Sequence, residues 1–278
     1  MAVAVDSYSG GLNGPTGFAT SISYSFTNTA GNALCLLGVT YGSSNVGVIS
    51  TGSATYGGQL LTVSQTSFDD GLGGPTIIVT GYLLNAPTGA NTVVFNSNID
   101  PAYTAQYIMA RAISVSGVNT SSTPTMVPAY GSYATDDTNQ TFSTSISSAT
   151  NNLVVGFGAY IPDYLSGAEL VSMTGTAIEQ GATQYIWASS YPGAASVSVS
   201  VTGFLDASNY NIVNLGIGAV SFAPSGGATP HAYLGYSEVA NQIQTTPGNA
   251  SGVVGNANNG LGDDVGGSGL VDVYTGVS

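Results

Sequence analysis

The chain almost lacks basic residues: it has 278 residues, no lysine and one arginine, Arg111. Charged residues of both signs make up 5% of the chain, whereas about 25% is usual in globular proteins. Proteins that bind nucleic acids or anionic membranes do so with clusters of Lys and Arg. We therefore expect neither kind of binding, and no chemistry that needs a lysine amine.

Cysteine and histidine are equally scarce, with one residue of each, Cys35 and His231. A lone cysteine excludes an intrachain disulfide, and its apolar surroundings in the sequence predict a small buried hydrophobe. One His and one Cys cannot supply a zinc site. His231 follows Pro230 in a Gly/Pro-rich linker, which favours an exposed linker residue, and we predict no enzymatic activity that depends on it.

Long apolar runs and amphipathic helical patterns are also missing. No stretch approaches the roughly 18 apolar residues of a membrane helix, so we expect no membrane insertion. Residues 1–6 have neither a basic region nor a long apolar region, and we expect no secretory signal in the chain as given. Capped segments with a 3.6-residue period, which predict helices, do not occur.

Two short apolar runs organise the rest of the chain, at residues 32–41 and 151–160. Each is rich in β-branched and aromatic residues, and such a run predicts a strand buried on both faces. Each follows an alternating segment, at residues 21–26 and 142–146, which predicts a half-buried strand. We interpret these two strand pairs as the centre of the fold.

The order of sequence features in the first half recurs in the second. Segments at 82–84, 86–89, 92–95 and 109–116 have counterparts at 185–187, 191–194, 196–201 and 215–222. The pattern predicts an all-β, antiparallel two-sheet sandwich over residues 1–224, with an internal pseudo-duplication or two Greek-key halves of one sandwich. The expected core includes Leu36, Val39, Ile113, Val154, Phe157, Val220 and Phe222.

The Gly/Asn-rich tail, residues 225–278, is too poor in apolar residues to build its own core. Its segment Leu270, Val271, Asp272, Val273 and Tyr274 has the composition of a strand. Because sheet edges are templates for added strands, we expect this segment to contact a neighbouring subunit by strand addition. The alternative is that the tail folds back on its own sandwich. Truncation after Pro224 separates the two, because strand donation predicts a folded but monomeric product.

Four segments carry a resemblance to a known kind of domain: residues 36–39 (LLGV), 54–62 (ATYGGQLLT), 82–93 (YLLNAPTGANTV) and 112–118 (AISVSGV). Together they resemble a jelly-roll-like β-sandwich domain of bacterial surface proteins and phage virion proteins, including capsid decoration and tail appendage proteins. The resemblance covers about residues 5–224 and implies no enzyme chemistry.

The resemblance and the low content of charged residues lead us to expect a structural subunit of an external assembly, first of all a virion surface or appendage protein. A subunit of an extracellular filament or surface layer and a carbohydrate-binding adhesin module remain alternatives. The expected partners are copies of the chain itself or other subunits of the assembly. The expected location is the virion surface or the cell exterior, and the low charge favours a protease-resistant surface.

Paired acidic residues in polar loops are the candidates for metal binding. Calcium takes loop carboxylates and carbonyl oxygens as ligands, and Asp69, Asp70, Asp136, Asp137 and Asn139 offer such groups. No EF-hand spacing is present, and neighbouring loop aspartates are more often solvated turn formers. Calcium is therefore a possible ligand, and no other cofactor is expected.

Three aromatic residues lie close together in the sequence and offer a possible sugar-stacking platform, Tyr185, Trp187 and Tyr191. Aromatic residues in strands more often belong to the core. We expect Trp187 in the core and Tyr191 at the surface, beside the Pro192–Gly193 turn. If sugars bind here, Tyr185 and Tyr191 would contact them.

Arg111 lies within a predicted strand, between two alanines. One interpretation is a side chain that extends to solvent from an exposed face. The other is a buried or interfacial partner for one aspartate. The sequence does not decide between them.

Overall fold

The computed structural model describes residues 2–8, 20–42, 52–69, 75–97, 105–133, 139–161, 169–180, 185–204, 213–225, 232–235 and 270–273. The chain divides into two compact units, Met1–Ser225 and Gly226–Ser278. Every helix or strand that the described residues contain is a β-strand, which confirms the all-β prediction.

Seventeen described strands make up the first unit. Those of the first half are β1 (Ala4–Tyr8), β2 (Ser21–Asn28), β3 (Ala33–Gly42), β4 (Ser53–Tyr56), β5 (Gln59–Leu60), β6 (Thr62–Asp69), β7 (Pro75–Leu84), β8 (Gly89–Asn96) and β9 (Ala105–Ser116). Those of the second half are β10 (Thr125–Tyr133), β11 (Asn139–Ser147), β12 (Leu153–Ile161), β13 (Glu169–Met173), β14 (Thr176–Glu179), β15 (Ile186–Pro192), β16 (Ser196–Phe204) and β17 (Val213–Phe222).

The two halves build their sheets in the same strand order. The first half forms a five-stranded sheet, β1-β9-β3-β7-β6, and a four-stranded sheet, β2-β8-β4-β5. The second half repeats this scheme with β10-β17-β12-β15-β14 and β11-β16-β13. We call the five-stranded sheets the inner sheets and the other two the outer sheets. Each half is therefore a two-sheet antiparallel sandwich of its own, whereas a single two-sheet sandwich over residues 1–224 was predicted. The antiparallel strands and the predicted internal duplication are confirmed.

The duplication produces four layers, because the two inner sheets pack face to face. Leu37 of β3 and Phe157 of β12 belong to one apolar cluster between them. On the opposite face of β3, Leu36 packs against the first outer sheet. On the opposite face of β12, Val154 packs against the second outer sheet. Burial of β3 and β12 on both faces, predicted from their apolar runs, thus places them in the two central layers.

All seven residues of the predicted core are at most 1% exposed: Leu36, Val39, Ile113, Val154, Phe157, Val220 and Phe222. Glycine allows close approach at one point in this core, since a Cβ on Gly38 would lie 2.5 Å from the Phe95 ring of the first outer sheet. Gly57 and Gly58 join β4 to β5 with φ angles of 57° and 78°. Two successive positive φ values suit the tight hairpin turn that the glycine pair predicts.

The second unit has two described strands, β18 (Ala232–Gly235) and β19 (Leu270–Val273), which pair antiparallel. Leu270, Val271 and Val273, proposed for contact between subunits, lie in β19, and Tyr274 lies outside the described residues. The segment thus has a strand partner in its own chain. Its donation to a neighbouring subunit stays a prediction.

Candidate functional site

Arg111 of β9 reaches across the interface between the two inner sheets. Its Nη2 atom lies 2.5 Å from Oε2 of Glu179 in β14, and its Nη1 atom donates to the Ile186 carbonyl at 2.5 Å. The Arg111 side chain is fully buried, whereas that of Glu179 is 17% exposed. Of the two interpretations of Arg111, the structure shows the buried interfacial one, with a glutamate in place of the expected aspartate.

Burial is the main influence on the Arg111 guanidinium. It lowers the pKa of Arg111 below its usual value, and the nearby Glu179 carboxylate opposes this shift. A buried charge needs both a counter-ion and hydrogen bonds to be tolerated. Glu179 and the Ile186 carbonyl supply them from the second half of the duplication, so the pair links the two halves.

Asp6 forms a second polar cluster, at a β-bulge in β1. The register between β1 and β9 shifts between Val5 and Ser7, and a bulge of this kind redirects a side chain. The Asp6 Oδ2 atom accepts hydrogen bonds from the backbone N–H groups of Thr29 and Ala30 at 3.1 and 3.0 Å. The redirected carboxylate therefore holds the turn between β2 and β3.

Two hydroxyl groups complete the Asp6 cluster, with Ser114 and Ser7 donating to the same Oδ2 atom at 3.0 and 3.2 Å. Partial burial acts to raise the pKa of Asp6, but the hydrogen bonds from Ala30, Ser114 and Ser7 outweigh it and lower that pKa below its usual value. A carboxylate with a lowered pKa is a weak base. The cluster is therefore suited to holding the strands together and not to activating a serine nucleophile.

Asn28, at the end of β2, ties two turns together. Its side chain is fully buried. Its Nδ2 atom donates to the carbonyls of Gly31 and Pro87, both at 2.9 Å, and its Oδ1 atom accepts from the Gly31 N–H at 2.8 Å. These bonds join the turn after β2 to the turn before β8. Neither Asp6 nor Asn28 was predicted from the sequence as a functional residue. The one weak signal was a polar residue at the end of an apolar or alternating segment.

A shallow depression of about 230 Å³ lies at one end of the second sandwich. Hydroxyl and amide groups from Thr123, Ser147, Ser148, Asn152 and Ser221 line it. Several of them bond one another, as Asn152 Nδ2 does in donating to Ser221 Oγ at 3.1 Å. No ionisable or aromatic residue is among those that line it in the described part of the chain. Such a lining suits a neutral polar ligand or water and has no group for acid–base chemistry.

The structure describes two of the five residues proposed to bind calcium, Asp69 and Asn139. Asn139 opens β11 and is exposed, and the backbone of Asp69 closes β6. Asp70, Asp136 and Asp137 lie outside the described residues, as does His231. Among the residues that the structure does describe, no three His, Cys, Asp or Glu side chains are grouped closely enough to hold a metal ion. Calcium binding stays a prediction.

Trp187 and Tyr191 both face the core between the second inner and outer sheets, with exposed fractions of 6% and 7%. The core position of Trp187 is confirmed, and the surface position expected for Tyr191 is wrong. The reason is strand parity, since residues 187 and 191 of β15 point to the same face. The Tyr191 hydroxyl donates to the Thr174 carbonyl at 2.6 Å, and burial raises its pKa.

This placement also bears on sugar contact. The buried Tyr191 ring has no free face on which a sugar could stack, so its expected sugar contact is corrected. Tyr185 is half-buried and packs against the two clusters on either side of the second inner sheet. No aromatic platform is formed by these two residues.

Cys35 lies within the cluster between the inner sheets and is fully buried. Its Sγ atom donates to the Ile113 carbonyl at 3.7 Å. Burial raises the pKa of this thiol, which keeps it protonated and unreactive. The prediction of a small buried hydrophobe is confirmed.

No protein-family model matches the chain, and neither does any curated protein or solved structure. Within the described residues, no helix is long and apolar enough to cross a membrane.

Proposed function

We propose that this protein is a non-enzymatic structural subunit of an external assembly, and that the assembly is a virion surface or appendage. The observation that carries the proposal is the outward face of the outer sheets. On β11, Thr141 and Ser143 are exposed, and their hydroxyls lie 2.8 and 2.6 Å from those of Thr202 and Ser200 on β16. On β2, the residues at 21, 23 and 25 are exposed serines.

Rows of short hydroxyl side chains make a neutral surface with little to attract charged ligands. The sequence also contains no lysine at which a trypsin-like protease could cut. Three described ionisable residues serve the packing: Arg111 and Glu179 link the two halves, and Asp6 holds a turn. A four-layer body whose described outer strands carry hydroxyl groups in place of charges suits the subunit of a permanently exposed particle.

The second candidate is a subunit of an extracellular filament formed by strand addition. Its supporting observation is that the outer sheets end in long, uncharged strands, β2 and β11. Both candidates share the structural role and differ in the particle that the subunit builds.

Antibody labelling of intact particles from the source tests the proposal. Gold-conjugated antibodies raised against the purified chain should decorate the exterior of nucleic-acid-containing particles. Decoration of fibres attached to cells would favour the filament instead. Labelling confined to the cell interior would contradict both.

A further inference from the structure

We propose that β2 and β11 are the strands through which copies of this chain join, edge to edge, extending the outer sheets from one copy to the next. The inference rests on the proposed function as a structural subunit and identifies its assembly surface. It is carried by the contrast between these two edge strands and the other sheet edges of the described structure.

The four sheets of the first unit have eight edge strands among the described residues. Proteins discourage pairing at such edges with bulges, prolines, charges or very short strands. Six of the eight have such a feature: bulges in β1, β13 and β14, Pro128 in β10, Asp69 in β6, and a length of two residues in β5.

The two exceptions are β2 and β11. They have eight and nine residues, with no charged residue and no proline. Within the outer sheets, β2 pairs with β8 and β11 pairs with β16, each in an unbroken register. They occupy the same place in the two halves of the duplication, so the described part of the chain has two equivalent edge strands without such a feature.

The register shows which backbone groups of β2 face away from β8. Ser97 N–H donates to the Thr20 carbonyl at 2.9 Å, so even-numbered residues of β2 bond to β8 and odd-numbered ones point outward. Ser21, Ser23 and Ser25 therefore direct their N–H and C=O groups to the open side. Within the described residues, no strand pairs with β2 on that side.

The same geometry holds for β11. Ser148 N–H donates to the Ala195 carbonyl at 3.4 Å, so the backbone groups of Ser143 and Ser145 point away from β16. In the described part of the chain, β11 likewise has β16 as its one strand partner.

Each open stretch is closed at its end by an equivalent contact. The Ser7 Oγ atom, from β1, lies 2.9 Å from the Thr27 carbonyl oxygen. The Thr125 hydroxyl, from β10, donates to the Ser147 carbonyl at 2.7 Å. Among the described residues, the backbone groups on the open side are those of Ser21, Ser23 and Ser25 on β2 and those of Ser143 and Ser145 on β11.

A second copy is the occupant that fits these edges. Antiparallel pairing of two such strands would continue the apolar inner face, formed by residues such as Ile22 and Ile146, and the hydroxyl-covered outer face. A cationic partner would find no carboxylate along either edge. The tail strand β19 fits less well, because it has four residues and is already paired with β18.

Lysine substitutions on the full-length chain test the proposal by sedimentation velocity. The double variant Ser25→Lys/Ser145→Lys places a charge on each open edge. The control Thr92→Lys/Ser198→Lys places the same charges on the cross-strand neighbours in β8 and β16, whose side chains are exposed but whose backbones are already paired. The wild type and the control should self-associate increasingly as the protein concentration rises. The edge variant should remain monomeric over the same range, with association weakened at least about tenfold.

Single-edge variants sharpen the test, since a chain with one open edge should form no species larger than a pair. Hydrogen exchange on wild type needs no variant: the outward-facing amides of Ser21, Ser23, Ser25, Ser143 and Ser145 should exchange more slowly in the associated state than in the monomer. A wild type that stays monomeric, or an edge variant that associates like the control, would overturn the proposal. So would loss of association in Val271→Pro with the edge variant unaffected, which would make the tail the connector.

These results are separable from those for the proposed function. Particle labelling can succeed while edge variants assemble normally, in which case the edges are not the assembly surface. Edge-dependent association without labelling of any external particle would leave the edge proposal standing and remove the proposed function.

Discussion

Arg111 and Gly218 occupy equivalent positions in the two inner sheets. Arg111 pairs with Leu37 between β9 and β3, and Gly218 pairs with Phe157 between β17 and β12. Leu37 and Phe157 both face the interface between the inner sheets. Yet Arg111 is the largest fully buried side chain of the described residues, and Gly218 has no side chain. The duplicated halves are thus asymmetric at the interface that joins them.

The Arg111–Glu179 pair should respond unequally to loss of each partner. Glu179→Ala should lower the free energy of unfolding by about 3–5 kcal/mol, because it leaves a buried charge without its counter-ion. Arg111→Met should cost less, because Glu179 is 17% exposed and can be hydrated. Urea denaturation of the two variants measures the difference, and an equal or reversed order would contradict this account.

Gly218 should not tolerate a methyl group. A Cβ at this position would contact Thr80 Oγ1 and lie 2.6 Å from Leu37 Cδ1, so Gly218→Ala should destabilise by about 1–3 kcal/mol through overpacking. The same substitution in a Leu37→Val background should cost less than in wild type. Equal costs in both backgrounds would mean that the inner sheets are not packed as described.

Thr80 offers a stabilising substitution. Its Oγ1 atom is buried and has no hydrogen-bond partner among the described residues. Thr80→Val removes an unsatisfied polar atom and keeps the shape, and should raise the free energy of unfolding by about 1 kcal/mol. The control Thr125→Val, which loses the bond to the Ser147 carbonyl, should not stabilise. A destabilised Thr80→Val would contradict this account by showing that the hydroxyl makes a stabilising hydrogen bond.

Asp6 should make stability depend on pH in the acid range. Its pKa in the folded chain lies below the ordinary value of 3.8, so its contribution is complete above that value and is lost as pH falls through the folded pKa. Asp6→Asn should cost about 1–2 kcal/mol at neutral pH. Unfolding measured from pH 7 to pH 2 should show this difference constant above about pH 5 and shrinking below pH 4. A constant difference throughout would remove the charge from the explanation.

The four-layer arrangement had a signal in the sequence. A two-sheet sandwich leaves one face of each sheet to solvent, so a strand that is apolar on both faces requires a further layer. Residues 34–41 and 153–160 have this property, and they are the central strands β3 and β12. The alternating segments at 21–26 and 142–146 likewise became the half-exposed outer strands β2 and β11.

The polar contacts could not be predicted, because their partners are distant in the sequence. Nothing near Arg111 indicates Glu179, and nothing near Asp6 indicates the turn at Thr29 and Ala30. The burial of Tyr191, in contrast, could be predicted from the sequence. Tyr191 lies four residues after Trp187, so alternation along a strand places both side chains on the same face. The prediction of a surface position followed the neighbouring Pro192 instead. Alternation within a strand was there the better guide to burial.

Electron cryo-microscopy of the native particle tests the central claim most directly. If the protein is a structural subunit of an external assembly, the map should show repeated copies of the four-layer body on the particle's outer surface, with contacts between neighbouring copies. Absence of this density from the exterior of particles that label with the antibody would contradict the claim, as would a chain found as isolated monomers outside any assembly.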